Sequence, residues 1–351
     1  MTENATIRDV AREAGVSIAT VSRVLNNLGG YTEATEKAVL QAIQTLNYHQ
    51  NTLARSLKTQ RSNLLGFLLP VAVTTSLDRI LYAFEKEAAE SGYQVLVCHS
   101  AETVEDIVKH INMLARFQID GFVFCGHQPR EALGETLHNK SAPCVLINSY
   151  QNDDSIPCIR VDDYAAAYAS VEYLYRKGHR RFALLVGPAD DATAGHARLC
   201  GYRQAIADHG LTLDDDLVFY GDFSYHGTLE TAGRLVRQAD RFTAVAAASD
   251  DMALAVLSQA HVQGIAVPGN FSIIGYDNVV TSEMGIPPLT TLAQSFEEMG
   301  RQAVEMLLEQ IRTSQKPPSR LIPFDIVERG SVRELLEQGG GAIALGGPIT
   351  G

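Results

Sequence analysis

Within the stretch GVSIATVSRVLNN (residues 15–27), Ile18, Ala19, Ser22, Arg23 and Asn26 are the residue types that read the edges of base pairs. Arg23 has the fork geometry for guanine O6 and N7, a contact worth about 1–3 kcal/mol of discrimination. Ile18 and Ala19 can pack on thymine methyl groups. Four short hydroxyls near helix starts, Thr6, Ser17, Thr20 and Thr35, suit phosphate oxygens. A solvated helix face would carry Glu and Lys instead. The competing reading is an amphipathic three-helix cap with no ligand.

Three short helices must position these groups. Thr6-Ile-Arg-Asp9 reads as a capping box, and Ile7, Val10, Ala11 and Ala14 form one apolar stripe. Gly15 supplies the turn, where a left-handed backbone costs least. Ser17 caps a second helix to about Leu25, with Val21, Val24 and Leu25 inward, and residues 26–30 form a loop. Thr32 caps a third helix with Val39, Ala42, Ile43 and Leu46 as its buried edge. This is a helix-turn-helix pattern, whose second helix offers its early residues to the major groove.

Composition is consistent with that reading. The chain of 351 residues carries a formal net charge of −12, yet residues 1–61 hold seven Lys/Arg against five Asp/Glu. A mildly basic head on an acidic body fits nucleic acid at one end and solubility at the other. Five scattered cysteines without a CxxC pair predict reduced thiols, and no apolar run reaches the roughly 18 residues of a membrane span. With no signal-peptide pattern, the expected compartment is the cytoplasm. No G-x-S-x-G elbow, P-loop, HExxH or strand-following G-x-G-x-x-G is present, so no enzyme is expected, nor a metal or cofactor. The run GGGAIALGGPITG reads as a flexible chain end.

From Asn63 the pattern changes. LLGFLLP, YQVLVC, GFVFCG and APCVLIN read as buried strands separated by helices, and RRFALLVG, LVFYGDF, FTAVAAAS and FSIIGYD repeat the theme. Such alternation predicts parallel sheets covered on both faces, in two similar lobes with a cleft at the strands' carboxyl ends. Asn148, in VLIN, and Asp250, in AASDDMAL, follow strands and are ligand candidates; Asp250 is equally an N-cap for the helix from Met252.

The run TIRDVAREAGVSIATVSRVLNN resembles the DNA-binding head of the lactose/galactose-repressor family of bacterial transcription regulators. The likeness continues through NYHQNTLARSLKTQRSNLLGFLLP, similar to that family's hinge, and on to about Gly330. It implies an α/β fold with an N-terminal helix-turn-helix head and a two-lobed, periplasmic-binding-protein-like body of doubly wound parallel sheets. It implies a DNA-binding domain at 1–50, a hinge at 51–62, an effector and dimerisation domain at 63–330 and a tail at 331–351. Lobe 1 would comprise about 63–160 and 292–318, and lobe 2 about 161–291 and 319–330. The hinge helix at 51–58 would fold on the operator, in the minor groove beside its partner. There Ala54 would allow close approach, Leu57 would wedge into the central base step, and Lys58 and Arg61 would lie near phosphates. Leu57 as a plain linker residue is the alternative.

In the cleft the resemblance places Arg198 (RLCGY), which grips effector hydroxyls or carboxylates, and Asp277 (IIGYDN), which accepts from sugar hydroxyls. It puts Phe223 (YGDFS) where an aromatic ring stacks on the ligand. The rival roles are a salt bridge between lobes for Arg198 and Asp277, and core packing for Phe223. Two departures stand out. VAVTTSLDRI replaces an Asn-Pro-Phe-Phe-like run, leaving Thr74, Thr75 and Ser76 to offer hydroxyls, and GPADDATAGHA, with His196, is a residue longer than in the lactose and purine repressors. The implied function is a dimeric, ligand-responsive regulator, acting as a repressor on a pseudo-palindromic operator, with a sugar-like effector. The alternative is a sugar-binding protein whose head no longer binds DNA specifically.

Overall fold

The computed structural model describes residues 5–25, 28–48, 61–70, 75–100, 103–125, 142–149, 155–189, 191 and 194–335. The chain divides into two compact units at Ser62/Asn63. In the first, α1 (Ile7–Glu13), α2 (Ile18–Leu25) and α3 (Glu33–Thr45) pack around Val10, Ala11, Val21, Val24, Val39 and Ala42. The capping box forms as the sequence predicts: Thr6 Oγ1 accepts from Asp9 N, and Asp9 Oδ2 accepts from Thr6 N at 2.9 Å. Thr20 N donates to Ser17 Oγ (3.1 Å) and Thr35 N to Thr32 Oγ1 (3.2 Å), so all three helices start on hydroxyl or carboxylate acceptors. Gly15, at φ 65°, makes the left-handed turn between α1 and α2.

The second unit holds two six-stranded sheets. In the first lobe β1 (Leu64–Pro70), β2 (Gln94–Ser100), β3 (Gly121–Cys125), β4 (Cys144–Ile147), β5 (Cys158–Arg160) and β11 (Arg320–Leu321) pair in the order β11-β5-β4-β3-β1-β2, all parallel. α4 (Thr75–Glu90) and α11 (Phe296–Thr313) pack one face through Leu77, Ile80, Phe84, Phe296 and Met299, and α5 (Val104–Arg116) covers the other through Ile107, Ile111 and Leu114. The second lobe orders β6 (Phe182–Val186), β7 (Val218–Tyr220), β8 (Ala244–Ala247), β9 (Ser272–Asp277), β10 (Thr290–Gln294) and β12 (Phe324–Val327) as β12-β10-β9-β8-β6-β7. Its helices include α6 (Asp163–Arg176), α7 (Ala194–Asp208), α8 (Tyr225–Val236), α9 (Asp250–Val262) and the short α10 (Thr281–Met284). The central strands are buried throughout, which is why they read as continuous apolar runs without alternation.

Four expectations need correction. The second sheet is not wholly parallel, because β12 runs antiparallel to β10 at its edge. The return crossing falls after Gln294, since Thr290–Gln294 still pairs with β9 and β12. The last crossing falls between Leu321 and Phe324, because β11 belongs to the first sheet. Residues 331–335 are not free tail. Ser331 is fully buried, its hydroxyl donating to Ile273 O (2.6 Å) and accepting from Thr290 N (2.8 Å), while Leu335 N bonds Lys177 O at 2.7 Å. Polar residues can be pinned this firmly when the neighbouring strand end supplies matching backbone groups, which a hydropathy pattern does not register.

Candidate functional site

The head presents an exposed face. Val21 and Val24 turn inward, leaving Ser17, Ile18, Ala19 and Arg23 exposed and Thr20 and Ser22 half-buried. Ile18, an apolar residue 46% accessible at the start of a helix, has no reason in the packing of the head to point outward. The hydroxyls of Ser17 and Thr20 pair at 2.9 Å, as do those of Thr32 and Thr35, so each pair can turn a donor to an incoming phosphate. Thr6 differs: its hydroxyl donates to Asp9 Oδ2 at 2.6 Å, and a phosphate would have to compete with that carboxylate. Arg23 lies against the loop after α2, its Nε donating to Gly29 O at 3.1 Å. Asn26 and the hinge positions Ala54, Leu57 and Lys58 lie outside the described residues.

In the second lobe the sheet order reverses at β6, between β7 and β8, and this is where an open α/β sheet leaves a crevice at its strand ends. Arg198, on α7, reaches across it: its Nη1 donates to Ala248 O, just past β8, at 2.5 Å. Phe223 follows β7 with φ 66°, and its ring occupies the space beside Gly187 at the end of β6. A Cβ on Gly187 would lie 2.2 Å from that ring, so only glycine admits it there. Phe223 is half-buried against the lobe's core, with its ring 5.9 Å from the Arg198 guanidinium.

Arg198 is 7% accessible and does not pair with Asp277 across the lobes. Its partner is Asp163, the first residue of α6, which sequence reasoning missed: Nε donates to Asp163 Oδ1 at 2.7 Å. Tyr276 completes the group, its hydroxyl donating to the same oxygen at 2.8 Å while the guanidinium lies 3.7 Å from the ring centroid. Burial opposes the charge on Arg198, yet Asp163, Tyr276 and Asp277 together hold its pKa above the ordinary value. Nη2 makes no hydrogen bond to any described residue.

Asp277 ends β9 half-buried at φ 118°, a conformation rare outside glycine. Gln294 Nε2 donates to its Oδ1 at 2.6 Å. Burial pushes this carboxyl up to about 7, against the pull of Arg198, so it exchanges its proton near neutrality. Asp250 is neither cap nor cleft residue. Ser249 is the N-cap of α9, and both Asp250 oxygens are occupied, Oδ2 by Val279 N (2.9 Å) and Oδ1 by the Thr291 hydroxyl (2.5 Å). Fully buried, Asp250 braces the turn after Asp277. Asn148, at φ 49°, follows β4 in the first lobe and stands apart from this group; Thr75 opens α4, and residues 71–74 before it lie outside the described residues.

The first lobe reaches the same turn. Arg79, on α4, is held on Glu297 through Nε (2.9 Å) and Nη2 (3.0 Å) and donates from Nη1 to Asn278 O at 2.8 Å. From the other side Arg329 Nη2 donates to Asn278 Oδ1 at 2.7 Å.

Comparison with known proteins settles the family. The model of the bacterial regulatory proteins of the lacI family matches residues 6–51, and that of the periplasmic binding protein-like domain matches residues 171–332. Over 333 residues the chain is 35% identical to the HTH-type transcriptional repressor CytR of Escherichia coli K12, covering 94% of this chain and 97% of that one. The chain belongs to the LacI family of bacterial transcription regulators. As a LacI-family repressor it is not an enzyme. It is also 33% identical over 339 residues to the repressor PurR of Glaesserella parasuis, covering 94% of this chain and 99% of that protein. The lac repressor dimer bound to operator and the anti-inducer ONPF superposes with a TM-score of 0.84 at 26% identity, over 94% of this chain and all of that one. The CelR–cellobiose complex gives 0.70 at 28% identity, over 93% of this chain and all of that one. The expected fold class, a helix-turn-helix and two parallel-sheet α/β lobes, is therefore right in outline. Among the described residues no helix is long and apolar enough to cross a membrane.

Proposed function

We propose that this LacI-family repressor acts in the cytoplasm as a homodimer on a pseudo-palindromic operator, with a small hydroxylated effector at the second lobe's crevice setting its DNA affinity. One observation carries the effector reading: a buried Arg198–Asp163–Tyr276 group and the half-buried Asp277 meet at the switch point of a parallel sheet. Arg198 Nη2 offers donors and Asp277 an acceptor, the complement of a hydroxyl, which can use both. The CelR relative holds cellobiose, an uncharged sugar that bears many hydroxyls. Selection of genomic fragments by the full-length protein, with and without pools of sugars and nucleosides, tests the whole reading. An enriched pseudo-palindrome whose recovery changes with one pool supports it; enrichment of nothing under either condition would leave only the sugar-binding alternative.

A dimer needs a face, and the second lobe offers one. A groove of about 510 Å³ runs along α9 and α10, lined by Leu254, Leu257, Met284 and Ile286 among others. Met284 is 69% and Ile286 93% accessible, and the buried hydroxyl of Thr281 has no partner among the described residues. A second copy related by a two-fold axis would cover these groups and bring two heads to two half-sites. Ile286→Glu is expected to give monomers at micromolar concentration by light scattering, and to weaken operator binding by about 10²–10⁴-fold as the second head is lost. A variant that remains dimeric would place the interface elsewhere.

Effector and operator affinities must be coupled through the lobes, typically by about 1–3 kcal/mol. Arg79 touches both, joining α4 and Glu297 to the backbone next to Asp277. Arg79→Ala is expected to reduce the effector's shift of operator affinity from about 5–150-fold to about threefold or less, with smaller change in effector affinity itself. Operator titrations at saturating effector measure this directly; an undiminished shift would remove Arg79 from the coupling.

A further inference from the structure

The charges around Asp277 can be accounted for one by one among the described residues. Three guanidinium groups reach the Asp277 region or the turn that follows it, and each already has its own carboxylate: Arg198 on Asp163 (2.7 Å), Arg79 on Glu297 (2.9 Å) and Arg329 on Glu283 (3.0 Å). Beside them stand Asp277, Asp250 and Asp251, with no cation bonded to any of the three among the described residues; Gln294 is the partner of Asp277, and Thr291 and the Val279 amide are those of Asp250. An arginine alone at this position would draw a phosphate or carboxylate. Here the Arg198 ion pair is nearly closed to solvent, its side chains 8% and 5% accessible, and the Tyr276 hydroxyl further fixes the shared carboxylate oxygen. The guanidinium keeps its Nη2 donors but has no net charge left to spend.

We infer that Asp163 determines the charge of the effector: the crevice accepts an uncharged hydroxyl-bearing molecule and rejects its phosphorylated or carboxylated counterparts. This rests on the reading of the crevice as the effector site. A neutral polyol accepts from Nη2 and donates to Asp277, matching what the site offers. An anion would meet the Asp277 carboxyl with no unpaired cation to offset it, and juxtaposed like charges in a desolvated site are strongly unfavourable. Rejection comes from the Arg198 charge being already cancelled by Asp163, so neutralising Asp163 should relax it.

The test is calorimetric titration of the full-length protein with matched pairs: ribose and ribose 5-phosphate, glucose and glucuronate, adenosine and cytidine each against its 5′-monophosphate. At least one neutral member is expected to bind, with its anionic partner weaker by about 100-fold or more. Asp163→Asn frees the Arg198 charge and should narrow that gap to about tenfold or less, chiefly by gaining anion affinity. Wild-type protein that binds an anion as tightly as its neutral partner overturns the inference while leaving the crevice as effector site. So does a folded Asp163→Asn protein, checked by circular dichroism, with discrimination unchanged. If that variant does not fold, the wild-type pairs decide alone. Binding of no member of any pair would overturn the hydroxylated-effector reading, and this inference with it.

Discussion

Arg198→Ala is expected to lose effector binding by about 100-fold or more and, at the same time, about 3–5 kcal/mol of stability. The second effect follows from burial. The Asp163 side chain is 5% accessible, and losing Arg198 removes the guanidinium bonded to its Oδ1, the oxygen that the Tyr276 hydroxyl also reaches. Removing one member of a buried pair strands the other, whereas replacing both by neutral groups is often neutral. The double variant Arg198→Met with Asp163→Asn should therefore recover most of the lost stability and none of the effector response. Denaturant unfolding measures the first quantity, and operator anisotropy with and without effector the second. Operator affinity of the folded dimer should survive in both variants, because no group in the head is touched. A single variant whose operator binding still shifts normally would dismiss Arg198 as an effector ligand. Recovery of the response in the double variant would show that its loss came from unfolding.

Arg23→Ala should have the largest effect on the DNA side. Discrimination at one operator base pair is expected to fall by about 1–3 kcal/mol, the value of a bidentate arginine–guanine contact. In the head as folded, Arg23 is exposed but spends Nε on Gly29 O, while its Nη2 lies beside Gly30. Engagement of a base can keep the Nε bond and use the Nη edge, so the loop then holds the side chain in place. The variant should also lose about 0.5–1.5 kcal/mol of head stability from that hydrogen bond. Binding to selected and scrambled operators across a salt series distinguishes the roles. A base contact gives a loss confined to the selected site with an unchanged salt slope; equal losses on both sites, with the slope reduced by about one, would make Arg23 a phosphate ligand.

The local signals in the chain were strong where structure is local. The capping box at Thr6 and Asp9, the hydroxyl caps at Ser17 and Thr32 and the turn at Gly15 are set by residues three or four apart, and each forms where expected. Eight apolar runs became eight strands, and the central ones are apolar throughout because they are buried on both faces. The failures are also physical. In sequence Asp250 reads equally as cap or ligand, yet its neighbour Ser249 takes the cap and frees Asp250 for Thr291 and Val279, partners 41 and 29 residues away. Asp163 follows Asp162, the actual N-cap of α6, and in sequence the two are indistinguishable acids at a helix start. The polar segment at 331–335 has no periodicity to announce that it closes on β9 and Lys177.

The family resemblance places Arg198, Phe223 and Asp277; what the sequence by itself determined is the plan, a three-helix head with an outward Arg23 and two α/β lobes. Short-range hydrogen bonding and the period of burial suffice for that, since both are written within a few residues. Only the tertiary structure decided which charges neutralise which. Arg198 and Asp163 are 35 residues apart in the chain and 2.7 Å apart in space. Charge in a site is a sum over groups brought together by folding, and the distance that governs each term does not exist until the chain has folded.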